Sequence, residues 1–503
     1  MLTDLLAGIE MVMRLDTLAM TAIGLVLGIL VGALPGFTTV MAMAVLLPIS
    51  FFLDPLVGIP FLIGVYKGGI YGGSIPAILI GIPGTGASVA TTYDGPALTR
   101  KGMSRKALEM ALAASVAGDT LSSLLTILLI GPIALVAMRV GPPELVIILA
   151  ASMLIIGATT SGAMAKGMLM LAIGMFLSLI GQDPIGALDR FTFNVFALQA
   201  GIDLLPMLIG LFAIPEILLA VEDRLSMARK GLSARPEGSG LSMAELRASM
   251  ATILRSTGIG AVIGAIPGVG QVVAAFVGYA AARNASPHPE RFGHGELDGV
   301  AAPEAANNAV NGPTMVPLLT LGIPGDNITA ILLGAFIAQG LRPGPQLFQQ
   351  QAPLVYALLS SMLIACILLA VLGYLLIPLF ARIISVPKSY LVPLTLVFAV
   401  AGTYVYRSNT MDLLFLVGFG LFGYVARKLR FDVSPLVMGF ILTPPLEYAL
   451  GQTVILSQGD LAGYIVGERP VSVALLIGIP ILTALVWWRM KRRTDLPPSD
   501  PSQ

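Results

Sequence analysis

Gly28-Ile-Leu-Val-Gly32-Ala-Leu-Pro35-Gly36 decides the architecture because it occurs twice: Gly260-Ala-Val-Ile-Gly264-Ala-Ile-Pro267-Gly268 repeats it 232 residues later. A second motif comes after it in the same order, Pro76-Ala-Ile-Leu-Ile-Gly81-Ile-Pro83-Gly84, and returns as Pro317-Leu-Leu-Thr-Leu-Gly322-Ile-Pro324-Gly325 at an offset of 241. A lone Gly-x-x-x-Gly signals no more than close helix contact in lipid. Two different motifs recurring in one order signal an internal duplication.

The medium around these motifs is lipid. Of 503 residues, 56% are hydrophobic and 11% charged, and the mean hydropathy is +0.89, whereas soluble domains carry about a quarter charged residues. Apolar runs of the length needed to cross a bilayer, about 20 residues, recur from Thr17 almost to Trp488. The expected fold class is therefore an all-α polytopic membrane protein, with about eleven transmembrane helices, several broken or re-entrant segments and two inverted-topology repeats. A net charge of +1 offers no basic field for nucleic acid. Cys366 is the sole cysteine, which excludes an intrachain disulfide and a thiolate metal cluster; it reads as a packing residue. Asp4, Glu10, Arg14 and Asp16 precede the first apolar run where a signal peptide would carry a basic cluster, so the N-terminal segment is expected to be retained.

Charge sets the orientation of the halves, since Lys and Arg accumulate in cytoplasmic loops. The loop after the second motif carries Arg100, Lys101, Arg105 and Lys106 in half one, while Gly340 to Gln351 carries only Arg342. The loop between the motifs behaves oppositely: Ser50 to Pro60 has no Lys or Arg, and Arg283 to Glu296 has Arg283, Arg291, His288 and His294. The two halves are therefore expected to be inverted. Arg224 through Arg255, Arg382 with Lys388, Arg427 to Arg430, and Arg489 to Arg493 then all lie in the cytoplasm. The expected divisions are an N-terminal membrane half (1–221), a cytoplasmic linker (222–255), a C-terminal membrane half (256–488) and a cytoplasmic tail (489–503).

Pro and Gly inside apolar segments break the helix, and in lipid each freed backbone group costs several kcal/mol unless protein or cavity water satisfies it. Pro35, Gly36, Pro83, Pro267, Gly268 and Pro324 are the expected breaks. Broken helices in matching positions of inverted halves point to a midplane binding site. A helix that starts after such a break aims unpaired N–H groups at an anion. In the second motif Gly84 and Gly325 are both tip candidates: Gly84 is followed by Thr85 and Ser88, with Thr91 and Thr92, in half one, and Gly325 by Asp326, Asn327 and Thr329 in half two. Their hydroxyls and amides either bind a carboxylate or cap the new helix. Asp326, with Thr329, either ligates a coupling cation or N-caps.

Glu304, Asn307, Asn308 and Asn311 share one helical face in a stretch otherwise of Ala, Val and Gly. A carboxylate at that depth is a functional candidate, here for cation coupling, and Asn307 and Asn308 are candidates for substrate contact. Interhelical bonding is the alternative. Lys67 and Ser74, with Tyr71, occupy the matching place in half one. Lys67 could meet a substrate carboxylate, snorkel, or pair with a protein acid. Asp119 and Asp183 have no obvious partner in the sequence.

Taken together these residues resemble the large membrane subunit of the tripartite tricarboxylate transporters. The likeness covers nearly the whole chain and rests on Gly32-Ala-Leu-Pro-Gly36, Tyr71-Gly-Gly-Ser-Ile-Pro76, Gly81-Ile-Pro-Gly84 through Asp94-Gly95, Ala302-Pro-Glu-Ala-Ala-Asn-Asn308, and Leu321-Gly-Ile-Pro-Gly325. Gly81 stands where the family often has Asn, and Pro96 where it often has Tyr. The resemblance implies a cation-driven importer of citrate or related organic carboxylates in the bacterial inner membrane. It would use Na+ or H+ as coupling ion and no other cofactor. Its implied partners are a small four-helix membrane subunit and a periplasmic solute-binding protein.

Other classes fit less well. The chain has no Gly-x-x-x-x-Gly-Lys-Ser/Thr loop for ATP, and the nearest echo, Gly157 to Lys166, has the wrong spacing. Its two histidines, His288 and His294, fall six residues apart in one loop beside Pro287 and Pro289 and suit no metal catalysis, and Ser74 has no evident base. A passive organic-anion channel is the remaining alternative. It would not need tips suited to full desolvation of an anion.

Overall fold

The computed structural model describes residues 2–34, 36–159, 164–183, 186, 188–226, 236–380 and 388–478. Pro35, Arg382 and the tail 489–503 lie outside the described residues. Among the described residues the molecule is all-α apart from a two-rung antiparallel ladder pairing Gly181 with Arg190 and Gln182 with Asp189. Among the described residues six helices are long and apolar enough to cross a membrane: Leu15–Gly32, Pro55–Ile80, Ser104–Ala137, Leu204–Glu222, Ala352–Leu379 and Thr410–Lys428. Five more, such as Thr39–Ser50 and Asn327–Ala338, are apolar but shorter. The sequence suggests more full spans because an apolar run interrupted by Pro and Gly has the composition of a span without its continuous ladder.

The two halves repeat one plan. In half one Leu15–Gly32 breaks, Thr39–Ser50 comes next, and Pro55–Gly72 with Ser74–Ile80 leads to the second break. Met243–Gly264, Gly270–Ala285, Asp298–Asn308 and Met315–Leu321 retrace it in half two. The packing is repeated through the Gly-x-x-x-Gly pairs. A Cβ on Gly28 would stand 2.3 Å from the Val65 carbonyl oxygen, and one on Gly32 2.4 Å from that of Gly69. Their counterparts Gly260 and Gly264 approach the carbonyl oxygens of Ala306 and Val310, at 2.1 and 2.7 Å. The glycines match at the first offset and their partners at the second, so duplication extends to tertiary contacts. Small residues allow this backbone approach, on which helix association in lipid depends.

Loops of like charge meet. The basic loop of half one touches the basic loop of half two, where Lys101 Nζ donates to the His294 carbonyl at 2.7 Å. Asp94, fully buried, accepts from the backbone N–H groups of Gly293, Gly295 and Glu296 at 2.8–3.0 Å and from the Tyr279 hydroxyl at 2.9 Å. The two loops poor in basic residues meet as well, Gln339 Nε2 donating to the Ser50 carbonyl at 2.8 Å.

The first helix of half two begins at Met243, inside the stretch that reads as linker. Ser242 and Glu245 form a capping box that starts it. Arg247 and Arg255 gave the segment its linker-like composition, and both are exposed on the helix. Outside the repeats, Leu204–Ser226 packs on Thr410–Lys428, and Ser434–Leu456 packs on Pro142–Thr159 and Met164–Ser178.

Candidate functional site at the convergence of the breaks

Both second breaks are built alike. Gly81 and Gly322 end their helices in the left-handed conformation, with φ of +71° and +70°, where a side chain would be strained. The next N–H groups turn back, Ile82 to the Pro76 carbonyl at 3.3 Å and Ile323 to that of Pro317 at 3.1 Å. Pro83 and Pro324 then prevent the helix from resuming. Beyond each tip the same short bonds recur. Ser88 Oγ accepts from Thr85 N–H at 3.2 Å and donates to the Thr85 carbonyl at 2.9 Å. Thr329 Oγ1 accepts from Asp326 N–H at 2.9 Å and donates to the Asp326 carbonyl at 3.0 Å.

Downstream of the tips the two halves diverge. After Gly325 a regular helix, Asn327–Ala338, begins at once. After Gly84 come only single turns, Gly86–Ser88 and Ala90–Thr92, and the six-residue helix Gly95–Arg100. The expectation of a helix beginning just after each tip is thus met in half two, whereas half one has only short turns there. Gly86, Gly95 and Pro96 deny half one a continuous ladder.

The first breaks bring two further helix starts to the same place. Gly36 and Gly268 turn the chain at φ of +86° and +82°, and Thr39–Ser50 and Gly270–Ala285 then begin. Gly268 N–H donates to the Gly325 carbonyl at 2.8 Å, joining the two breaks of half two. All four post-break segments line one cavity of about 450 Å³. Thr38, Thr39, Thr85, Gln271, Asp326 and Asn327 supply its polar wall from the repeats, and Arg427, Asp432 and Ser434 supply it from outside them. Such a volume suits a small organic ligand, since binding pockets run to about 300–1,000 Å³.

Polar capacity inside the cavity is partly unused. Asp326 Oδ1 accepts from Thr329 N–H at 2.8 Å, so the residue does cap its helix. Its Oδ2 is buried with no hydrogen bond of good geometry among the described residues, although Tyr66 and Gln271 stand within reach of the carboxylate; Oγ1 of Thr39, which is 1% exposed, has no partner among them either. Asn327 Nδ2 donates to Ser434 Oγ at 2.6 Å. Arg427, the single basic residue lining the cavity among the described residues, donates from Nη1 to Glu216 Oε1 at 2.6 Å. The arrangement presents helix starts and hydroxyls to an anion, with a carboxylate oxygen close by for a cation.

Of the candidates read from sequence, Thr85, Gly268, Asp326 and Asn327 line the cavity. Gly84, Gly325, Ser88 and Thr329 sit behind them and shape the tips. The other candidates lie elsewhere. Ser74 Oγ is turned to the Tyr71 carbonyl at 2.7 Å. Lys67 Nζ is fully buried on Asp119 Oδ1 at 2.5 Å and lies 3.4 Å from Cys366 Sγ. Asp119 also accepts from Asn311 Nδ2 at 3.2 Å and from Ser123 Oγ at 3.3 Å, which supplies the partner missing from the sequence. Glu304, Asn307 and Asn308 form a separate buried cluster with Thr91 and Ser115. Asp183 accepts from Gly186 N–H at 3.0 Å near the Arg190–Glu447 pair.

Thr38, Thr39 and Gln271 were legible in principle, because they come after the first motif as Thr85 and Asp326 come after the second. No sequence signal marks Arg427, which comes from a helix outside the repeats and reads as a cytoplasmic end charge.

The chain is 35% identical over 476 residues, 95% of its length and 94% of the relative's, to an uncharacterized 52.8 kDa protein in the TAR-I ttuC′ 3′ region of Agrobacterium vitis. It is 38% identical over 217 residues, 43% of its length and 89% of the relative's, to an uncharacterized protein in the TAR-II ttuC′ 3′ region of the same organism. No solved structure matches it significantly. The pattern of the tripartite tricarboxylate transporter TctA family matches residues 18–438, a stretch that takes in both pairs of breaks, the cavity between them and the Glu304 cluster, and the chain belongs to that family.

Proposed function

We propose that this chain is the substrate-translocating subunit of a secondary importer of tricarboxylates or related organic carboxylates in the bacterial inner membrane. A periplasmic solute-binding protein delivers the substrate, and a small four-helix membrane subunit completes the assembly. One observation carries the reading: the post-break segments of both repeats converge on one cavity, where polar atoms at helix starts are left without a hydrogen bond of good geometry among the described residues.

The substrate carboxylate sits against the first N–H groups of Thr39–Ser50 and the hydroxyls of Thr38, Thr39 and Thr85, with Arg427 lining the same cavity. Preorganised dipoles there replace the water the anion gives up, at little reorganisation cost. Asp326 Oδ2 offers a monovalent cation, Na+ or H+, a place beside the anion, so that the two charges enter together. Inverted repeats supply two nearly equivalent packings of the same segments, which is the structural requirement for alternating access.

The test reconstitutes the chain with its two partner subunits in vesicles and follows uptake of labelled citrate and related carboxylates. A sodium gradient and a pH gradient are imposed separately. Concentrative uptake that requires the binding protein and falls on Arg427→Gln or Thr85→Val, in protein that still melts like wild type, supports the proposal. Downhill flux indifferent to both gradients and to the binding protein would establish a passive channel instead.

A further inference from the structure

Glu304 lies outside the cavity, on the buried seam where half one meets half two. It is fully buried. Its partners come from three elements: Thr91 Oγ1, beyond the first tip, donates to Oε1 at 2.5 Å; Ser115 Oγ, on Ser104–Ala137, donates to Oε2 at 3.4 Å; and Asn307 and Asn308 lie one turn further along its own helix. All are neutral.

Among the described residues no cation is left to balance it. The helix bearing Glu304 packs against Pro55–Gly72, Ala90–Thr92, Ser104–Ala137, Met243–Gly264 and Gly270–Ala285. Lys67 is committed to Asp119, Arg105 to Glu109, and Lys106 to Glu245. Arg247, Arg255 and Arg283 are not buried with it. Tyr279 is bonded to Asp94, Tyr66 accepts from Gln271, and Asp298 accepts from Thr252. Tyr71 is within electrostatic reach of Glu304, and its hydroxyl has no partner among the described residues.

An ionised carboxylate without a counter-ion at such a place is costly, and the group neutralises instead by binding a proton. Sodium is the competing neutraliser. Thr91 Oγ1 and Glu304 Oε1 stand at direct hydrogen-bond distance, the geometry of a hydroxyl bonded to the carboxyl itself. Asn307 Nδ2, a donor and no cation ligand, is buried within reach of the Glu304 carboxyl.

We infer that Glu304 is a proton site: its carboxyl takes up one proton when the seam between the halves is closed and dry, and returns it to water when the seam opens. This deepens the transport reading and rests on it, and it adds a proton site on the repeat interface to the cation place beside the substrate at Asp326. Thr91 makes the site sensitive to the first tip, because its hydroxyl is the closest group bonded to the carboxyl.

The test is infrared difference spectroscopy of the purified full chain during a pH titration, a readout that needs no substrate. Wild type should show the carbonyl band of a neutral carboxylic acid that titrates with pH and is unmoved by added sodium. Glu304→Gln keeps an acceptor for Thr91 and should abolish that band. Thr91→Val keeps the acid but removes a bond to its ionised form, and should move the midpoint upward by about one pH unit. A wild-type spectrum without such a band, a band that survives Glu304→Gln, or one displaced by sodium would overturn the inference. Should Glu304→Gln fail to fold, an unmoved midpoint in Thr91→Val does the same. In vesicles Glu304→Gln should retain substrate exchange and lose uptake driven by a pH gradient. Absence of all uptake in wild type alongside a normal band would count against the transport reading instead.

Discussion

The tips predict a graded response to the smallest possible substitution. A Cβ on Gly84 would lie 2.1 Å from the Gly32 carbonyl oxygen and 2.8 Å from the Gly73 Cα, both backbone atoms of packed helices. A Cβ on Gly325 would lie 2.0 Å from Thr314 Oγ1, with the Thr314 Cβ at 3.2 Å. Thr314 is the counterpart of Gly73 at the second offset, so the two tips meet the same position of the repeat filled differently. Overpacking a tight core costs about 1–3 kcal/mol, and more where backbone must shift. Gly84→Ala should therefore cost at least about 3 kcal/mol, since neither contact can rotate away. Gly325→Ala should cost about 1–3 kcal/mol, and Thr314→Ala, which deletes the offending and otherwise unpartnered hydroxyl, should bring the double variant back to within about 1 kcal/mol of wild type. Equilibrium unfolding in mixed micelles, with melting temperature as a second readout, gives the coupling through a double-mutant cycle. A Gly84→Ala protein as stable as wild type, or no relief of Gly325→Ala by Thr314→Ala, would refute the account of the tips.

Three other outcomes rest on the charged groups. Lys67→Met leaves Asp119 unpaired in the membrane interior and should cost about 3–5 kcal/mol, while Lys67→Met with Asp119→Leu should recover most of it; unchanged unfolding in the single variant would show that the pair is not structural. Asp326→Asn preserves an acceptor for the Thr329 N–H and should melt within about 1 kcal/mol of wild type. Yet it removes the free charge at Oδ2 and should weaken the dependence of uptake on the coupling cation; wild-type coupling in this variant would exclude Asp326 from it. Outside the membrane, the Lys106 ammonium and the Ser242 N–H and hydroxyl hold the Glu245 carboxyl down at about 2. A depressed folded-state value means that the contribution is complete above the unfolded value of 4.5 and is lost as pH falls toward 2. Glu245→Gln should lower the melting point slightly at pH 7, and the gap to wild type should close progressively below about pH 4.5. A gap that stays constant down to pH 3 would refute the assignment.

The sequence by itself determined that the protein lives in lipid, that it is duplicated, and where its helices break. These properties are local: an apolar run, a Pro that cannot continue a ladder, and a Gly that ends a helix at positive φ act wherever the chain goes. Gly81 and Gly322 accordingly adopt nearly the same conformation. The Gly28 and Gly260 motifs also carried their packing partners with them, since a helix contact through small residues is itself a spacing pattern. The tertiary structure decided which polar residues share a site. Lys67 and Glu304 read alike as buried charges near a break, yet among the described residues only Lys67 finds an opposite charge, because Asp119 arrives from a helix fifty-two residues away. Thr39 and Gln271 join Thr85 and Asp326 in one cavity, and Arg427 joins them from outside the repeats. Burial without a partner is a property of the neighbours that the rest of the chain brings, and no window of sequence around one residue contains it.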